Sequence, residues 1–245
     1  MECVKIENYR GIEIRTVRDD NGQYSRLYRE KGKLLQRLIL EGFYIEQMKA
    51  FRSLDKDLRN ILTWVGILNE LNAKNDFLTN RYPGMDNRDA AVFKGLFFAI
   101  LALYGRCFTG AQNRKFTFDK KHVPEKYRKY HDDLMHMRHN FAAHKGDFEA
   151  EDCQIALVLN IKKKVQISPQ IFSELQQPYI DFNFLDKGDG TPLEDICTAL
   201  KGVIAAKYED LYDKIIDGFV LTVSPSFWKN ADGKTVNIDP YFKKR

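Results

Sequence analysis

Residues 124–146 read PEKYRKYHDDLMHMRHNFAAHKG, and this stretch decides both the fold class and the candidate site. Pro124 suits the first position of a helix, where its missing N–H costs nothing. Tyr127, Tyr130, Leu134, Met137 and Phe141 follow at gaps of three, four, three and four, the spacing of one helical face. Gly146 is a natural stop, which ends the predicted helix near His144 or Lys145. On a wheel of about 100° per residue the apolar stripe is centred between Leu134 and Phe141. Arg138 falls about 60° to one side of that centre and His144 about 60° to the other. At roughly 1.5 Å per residue the two are also about 9 Å apart along the axis. Within one helix they are badly placed to share a phosphate. Two copies packed along this seam, or a helix that ends before His144, would bring them together. Asn140 precedes His144 by one turn and can orient its ring.

Working outward, a polar basic loop from Thr109 to His122 precedes this helix. Before it lies the most apolar predicted helix, Asp89 to Phe108, with Asp86 or Asn87 as its cap. Leu58, Ile61, Leu62, Val65 and Leu68 predict a further helix after Asp55. Leu27, Leu34, Leu38, Ile45 and Met48 predict a long one that runs through Gly32 and Gly42. The expectation is a mainly α protein: an up-and-down four-helix bundle over residues 26–150. A β-ribbon over 1–25 precedes it, with alternating Val4, Ile6, Ile12 and Ile14 and turns at Asn8–Gly11 and Asp19–Gly22. Residues 151–222 should add a hairpin, Cys153–Ile161 returning through Val165 and Ile167. A C-terminal helix follows from the capping box Thr191-Pro192-Leu193-Glu194. Residues 223–245 read as a loosely attached tail.

An apolar share of 44% over 245 residues is enough for a real core. The first fifteen residues lack the order of a signal peptide. The longest apolar run, Leu96 to Tyr104, is about half of the roughly 20 residues a membrane span needs. Cys3, Cys107, Cys153 and Cys197 are scattered without a CxxC pair, so a reducing, cytoplasmic setting is expected, away from membranes. The formal net charge of +5 is not spread evenly. Between Gln112 and Lys145, nine Lys or Arg against four acids leave +5, so the rest of the chain is neutral overall. All five histidines fall in the same stretch. A localised basic field favours a polyanion such as RNA; its plainer meaning is a solvated loop and helix face.

The string Met137-Arg138-His139-Asn140-Phe141-Ala142-Ala143-His144 resembles the signature of HEPN domains: an arginine, a polar residue, and a histidine after a few intervening positions. Five residues intervene here, and His139 fills the polar position. Ala143-His144-Lys145-Gly146-Asp147 is also similar to the ending seen in abortive-infection relatives of that family. The resemblance covers about Tyr28 to Asp152. It implies a metal-independent endoribonuclease of a toxin or phage-defence kind, working as a homodimer and in some cases held by an antitoxin protein. On that resemblance Arg138 holds the scissile phosphate, and His144 is the general acid or base at the ribose 2′-hydroxyl or leaving oxygen. His139 and Asn140 position the RNA or the catalytic ring. Lys145, Arg128 and Lys129, with Arg114 and Lys115 in the preceding loop, would be RNA-binding contacts to flanking phosphates.

Other chemistries find less support. His136 and His139 make an HxxH pair with no third ligand at a matching spacing, so no metal and no cofactor are expected. His122 and His131 read as surface residues, and phosphate-loop and nucleophile-elbow motifs are missing. Two other readings stay open. One is a non-catalytic helical module that binds RNA or protein and dimerises through the same helix. The other is a structural dimer in which Arg138 and His144 only serve the end of a helix.

Overall fold

A computed structural model of the chain describes residues 2–75, 88–110, 114–139, 152–159, 169–176, 192–231 and 233–242. These residues are mixed α/β, not the expected mainly α four-helix bundle. About 60% of them are helical, accompanied by a four-stranded antiparallel sheet and two smaller two-stranded sheets. The chain divides into two units: one made of Met1–Lys49 and Tyr208–Arg245, the other of Ala50–Lys207.

The first unit opens with a meander: β1 (Glu2–Tyr9), β2 (Ile12–Arg18), β3 (Tyr24–Glu30) and β4 (Lys33–Leu34), each antiparallel to the next. The expected long helix from Leu27 to Met48 is therefore wrong over its first half. Leu27 and Leu34 are seven apart by coincidence, and Lys31-Gly32 between them takes two positive φ angles, 47° and 78°. That pair forms a tight hairpin turn of the kind that matches strand twist, which a helix cannot accommodate. β5 (Ile39–Glu41) then pairs in parallel with β8 (Thr235–Asn237), Leu40 opposite Val236. The segment after residue 223 is thus no loose tail. It forms α5 (Pro225–Lys229) and β8, and Ile238 joins Ile215 and Phe219 in a small core. Leu40, Tyr44, Met48, Phe227, Trp228 and Phe242 pack around that core. The Asp239 carboxylate accepts a 2.7 Å hydrogen bond from the Phe43 amide, satisfying a donor at the start of the next helix.

That helix, α1 (Phe43–Asn75), fuses two segments expected to be separate. The stripe continues without interruption from Ile45 and Met48 through Phe51, Leu54, Leu58, Ile61, Val65 and Leu68. From Leu54 to Leu68 those apolar positions are wholly buried. α2 (Arg88–Phe108) matches its expected span and buries Phe93, Phe97, Ile100, Leu101, Tyr104, Gly105 and Cys107. Among the described residues it alone is long and apolar enough, by length and composition, to cross a membrane.

The helix expected from Pro124 to His144 is shorter at its start. Pro124 caps a single 3₁₀ turn, Glu125–Tyr127, and α3 occupies Arg128–Met137. Arg138 and His139 continue it as a wider, π-type turn. The hairpin exists, as β6 (Asp152–Leu159) and β7 (Pro169–Gln176); the expected Val165 and Ile167 lie outside the described residues. α4 (Pro192–Ile215) starts with Pro192 at its first position, as the capping box predicts, and buries Leu193, Ile196, Cys197 and Leu200.

Candidate active site

Arg138 sits at the carboxyl end of α3 with helical backbone angles, its amide donating to the carbonyls of Leu134 and Met135. Its side chain is half-buried and lies across α2 at Gly105. The Cγ, Cδ and Nε atoms of Arg138 occupy the space that a Cβ on residue 105 would need. A larger residue at 105 would have to push the Arg138 side chain aside, so the seat of that side chain depends on one missing methyl group. The Thr109 hydroxyl donates to the Gly105 carbonyl at 2.8 Å, one turn further along α2.

Two other α3 side chains share the face that carries Arg138. Leu134 is buried, and so is His131, seven residues before Arg138. The expected surface position of His131 is therefore incorrect. Its ring is packed against Phe108, with centroids 4.4 Å apart, and its Nδ1 is 2.8 Å from the Tyr104 hydroxyl. Burial lowers its pKa below the ordinary histidine value, outweighing the opposing influence of Asp132. Tyr104 is raised above the usual tyrosine range by the same burial. The pair is neutral and hydrogen-bonded, which anchors α3 on α2 two helical turns before Arg138, through the residue next to Gly105. Cys107 on the same helix is pushed up to about 12 by burial, which makes it inert as a nucleophile at neutral pH.

The other expected site residues divide. His139 is exposed beside Arg138. Asn140, His144 and Lys145 lie outside the described residues. Lys129 and Lys115 are exposed, while Arg128 is half-buried, its Nε without a hydrogen-bond partner among the described residues. Arg114 is occupied in a different task. Its guanidinium, only 10% exposed, lies 3.1 Å from the fully buried Asp57 carboxylate of α1. It also donates to the Arg106 carbonyl and the Ser53 hydroxyl. Arg106 completes the group with two bonds to Asp57, at 2.5 and 3.1 Å. This Arg106–Asp57–Arg114 cluster ties the basic loop to α1 and α2, and it withdraws Arg114 from the set of phosphate contacts. Nothing in local spacing announces it, because its members are 49 and 57 residues apart.

The basic surface is carried instead by Lys120, Lys121 and Lys126. They pair with Asp132, Asp119 and Asp195 at 2.6, 2.9 and 3.8 Å. Such exposed pairs are individually weak, so an incoming phosphate can displace the carboxylates. His122 folds back on Asp119, receiving its backbone N–H at Nδ1 over 2.9 Å. Among the described residues no group of three His, Cys, Asp or Glu is placed to hold a metal ion.

No family model matches the chain, and the searches of curated proteins and of solved structures return no significant match. The functional reading therefore rests on the residues themselves.

Proposed function

We propose that this protein binds RNA and cleaves it without a metal ion, using Arg138 and His144. The supporting observation is the seat of Arg138: half-buried at the end of α3, held over Gly105, and leading directly into the segment that carries His144. An arginine whose stem is packed in this way has less freedom to lose when it takes a phosphate, and its fork matches two phosphate oxygens. In the proposed reaction His144 removes the ribose 2′-proton or protonates the leaving 5′-oxygen, and the 2′-oxygen attacks phosphorus. Arg138 offsets the charge that builds on the non-bridging oxygens. His139 and Asn140 position substrate or ring, and the lysines around the site hold flanking phosphates without reading sequence. A homodimer is the form in which such motifs usually meet, consistent with the resemblance to HEPN nucleases; a protein inhibitor would be its natural partner.

The test is cleavage of labelled single-stranded and structured RNA by purified protein in EDTA. The expected product ends in a 2′,3′-cyclic phosphate. His144→Ala and Arg138→Ala should each lower the rate by roughly 10²-fold or more while the circular dichroism spectrum stays unchanged. If folded wild type and variants all fail to cut, yet bind RNA with a salt-dependent affinity, the protein is a binding module and the catalytic assignment falls.

A further inference from the structure

β1 is the outer strand of its sheet. It pairs with β2 on one side, and among the described residues no strand pairs with the other. Val4, Ile6 and Tyr9 on it are 51%, 55% and 59% exposed. An open edge of eight residues is a template for a further strand unless something blunts it. Two blunting features are present: a bulge between Cys3 and Lys5, and the charge of Lys5 itself. Both discourage an arbitrary strand. Neither discourages a strand whose charges answer those of Lys5 and Glu7, and β1 itself is such a strand.

Symmetry narrows the possibilities. When two copies of β1 meet edge to edge, antiparallel, about a two-fold axis normal to the sheet, opposed residues must lie on the same face. Side chains alternate along a strand, so the numbers of two opposed residues then sum to an even value. A sum of ten sets Lys5 against Lys5 of the second copy, and a sum of fourteen sets Glu7 against Glu7. A sum of twelve sets Lys5 opposite Glu7 twice, with Ile6 opposite Ile6 on the other face. Within one strand the Lys5 Nζ and the Glu7 carboxylate already lie 2.7 Å apart. In the twelve register the four charges alternate around a square, so every neighbour is of opposite sign. In this register Cys3 and Val4, at the bulge, fall opposite Tyr9 and Asn8, so regular pairing is confined to the Lys5–Glu7 centre.

We propose that the β1 edge is a homodimerisation surface, joined antiparallel with its two-fold axis at Ile6 and reciprocal Lys5–Glu7 ion pairs, so that two four-stranded sheets merge into one. This surface is independent of Arg138 and His144.

The experiment is the oligomeric state of the full chain by sedimentation and light scattering, over a range of concentrations and with circular dichroism as the folding control. Wild type should self-associate, and the part of that association that responds to charge reversal at Lys5 or Glu7 belongs to the β1 edge, whatever contact the Arg138 helix makes. Lys5→Glu and Glu7→Lys should each weaken self-association by about tenfold or more, because like charges then face each other at both symmetric positions. An equimolar mixture of the two variants should recover a heterodimer. The double variant K5E/E7K keeps the composition and the pair within the strand; it should associate with itself and not with wild type. A monomeric wild type, a dimer indifferent to both reversals, or a swapped variant that pairs freely with wild type would each overturn the proposal.

Discussion

Asp57 and Glu13 are both carboxylates that meet arginine, yet they inhabit opposite environments. Glu13 holds Arg15 within β2, at 2.6 Å, with both side chains about one-third exposed. Asp57 holds Arg106 and Arg114 with no exposure of its own. Water already serves Glu13 and Arg15, so their pairing replaces one good interaction with another. Asp57 has no such alternative, and its two arginines are the partners whose loss would leave a buried charge uncompensated. The meander and the helical unit differ in the same sense throughout. Val17 is the one apolar residue of the β1–β4 strands that is fully buried, whereas α1 and α2 bury long continuous stripes.

The largest effect should come from breaking the buried cluster. Asp57→Ala leaves Arg114 nearly buried without its carboxylate and should cost about 3–5 kcal/mol in urea unfolding. Glu13→Ala on the meander should cost less than about 1 kcal/mol. Equal losses at the two positions would abolish the distinction. An intermediate effect is expected at the α2–α3 contact. Gly105→Ala forces Arg138 off its seat and should destabilise by about 1–3 kcal/mol. In an Arg138→Ala background the obstruction is gone, and the same change should stabilise by up to about 1 kcal/mol through helix propensity. Thermal melts of the four proteins read that reversal of sign, and an identical shift in both backgrounds would deny the contact.

The smallest effect concerns His131. Its pKa is lowered in the folded state by burial, so the neutral ring is the one the fold prefers. The associated stability is complete above the ordinary histidine value of about 6.5 and drains away as pH falls through the lowered folded value. Unfolding measured between pH 7.5 and pH 5 should show this loss, and His131→Gln should flatten it. A slope unchanged by that substitution would place the titration elsewhere.

Helices whose burial is written in one local stripe were legible. Leu58, Ile61, Val65 and Leu68 in α1, the apolar run of α2, and the capping box before α4 all led to the right element type. The failures share a cause: the deciding partner is far away in sequence or is a backbone turn. Leu27 and Leu34 satisfied a helical spacing while Lys31-Gly32 between them dictated a hairpin. Val236 and Ile238 carry no periodic signal, because β8 gains its order from β5 and from Phe219. At the site, Arg138 was readable as a residue flanking the apolar stripe of its helix; the expected helix end near His144 or Lys145 lies outside the described residues. Gly105, Tyr104 and Asp57 were not, since what each contributes depends on a contact across tens of residues. His131 was read as a surface residue although its spacing of seven from Arg138 puts it on the same flank, and that spacing was the clue to its inward face.

The parallel pairing of β5 with β8 has a temporal meaning. Leu40 emerges during synthesis long before Val236, its partner in the pairing. Ala50–Lys207 is complete well before that moment and can collapse on its own contacts. The first unit must wait, its meander formed but its small core open, until the carboxyl-terminal strand arrives to close it. A stalled or truncated chain would therefore display a finished helical unit beside an exposed Leu40 and Tyr44, the kind of surface that chaperones and proteases recognise.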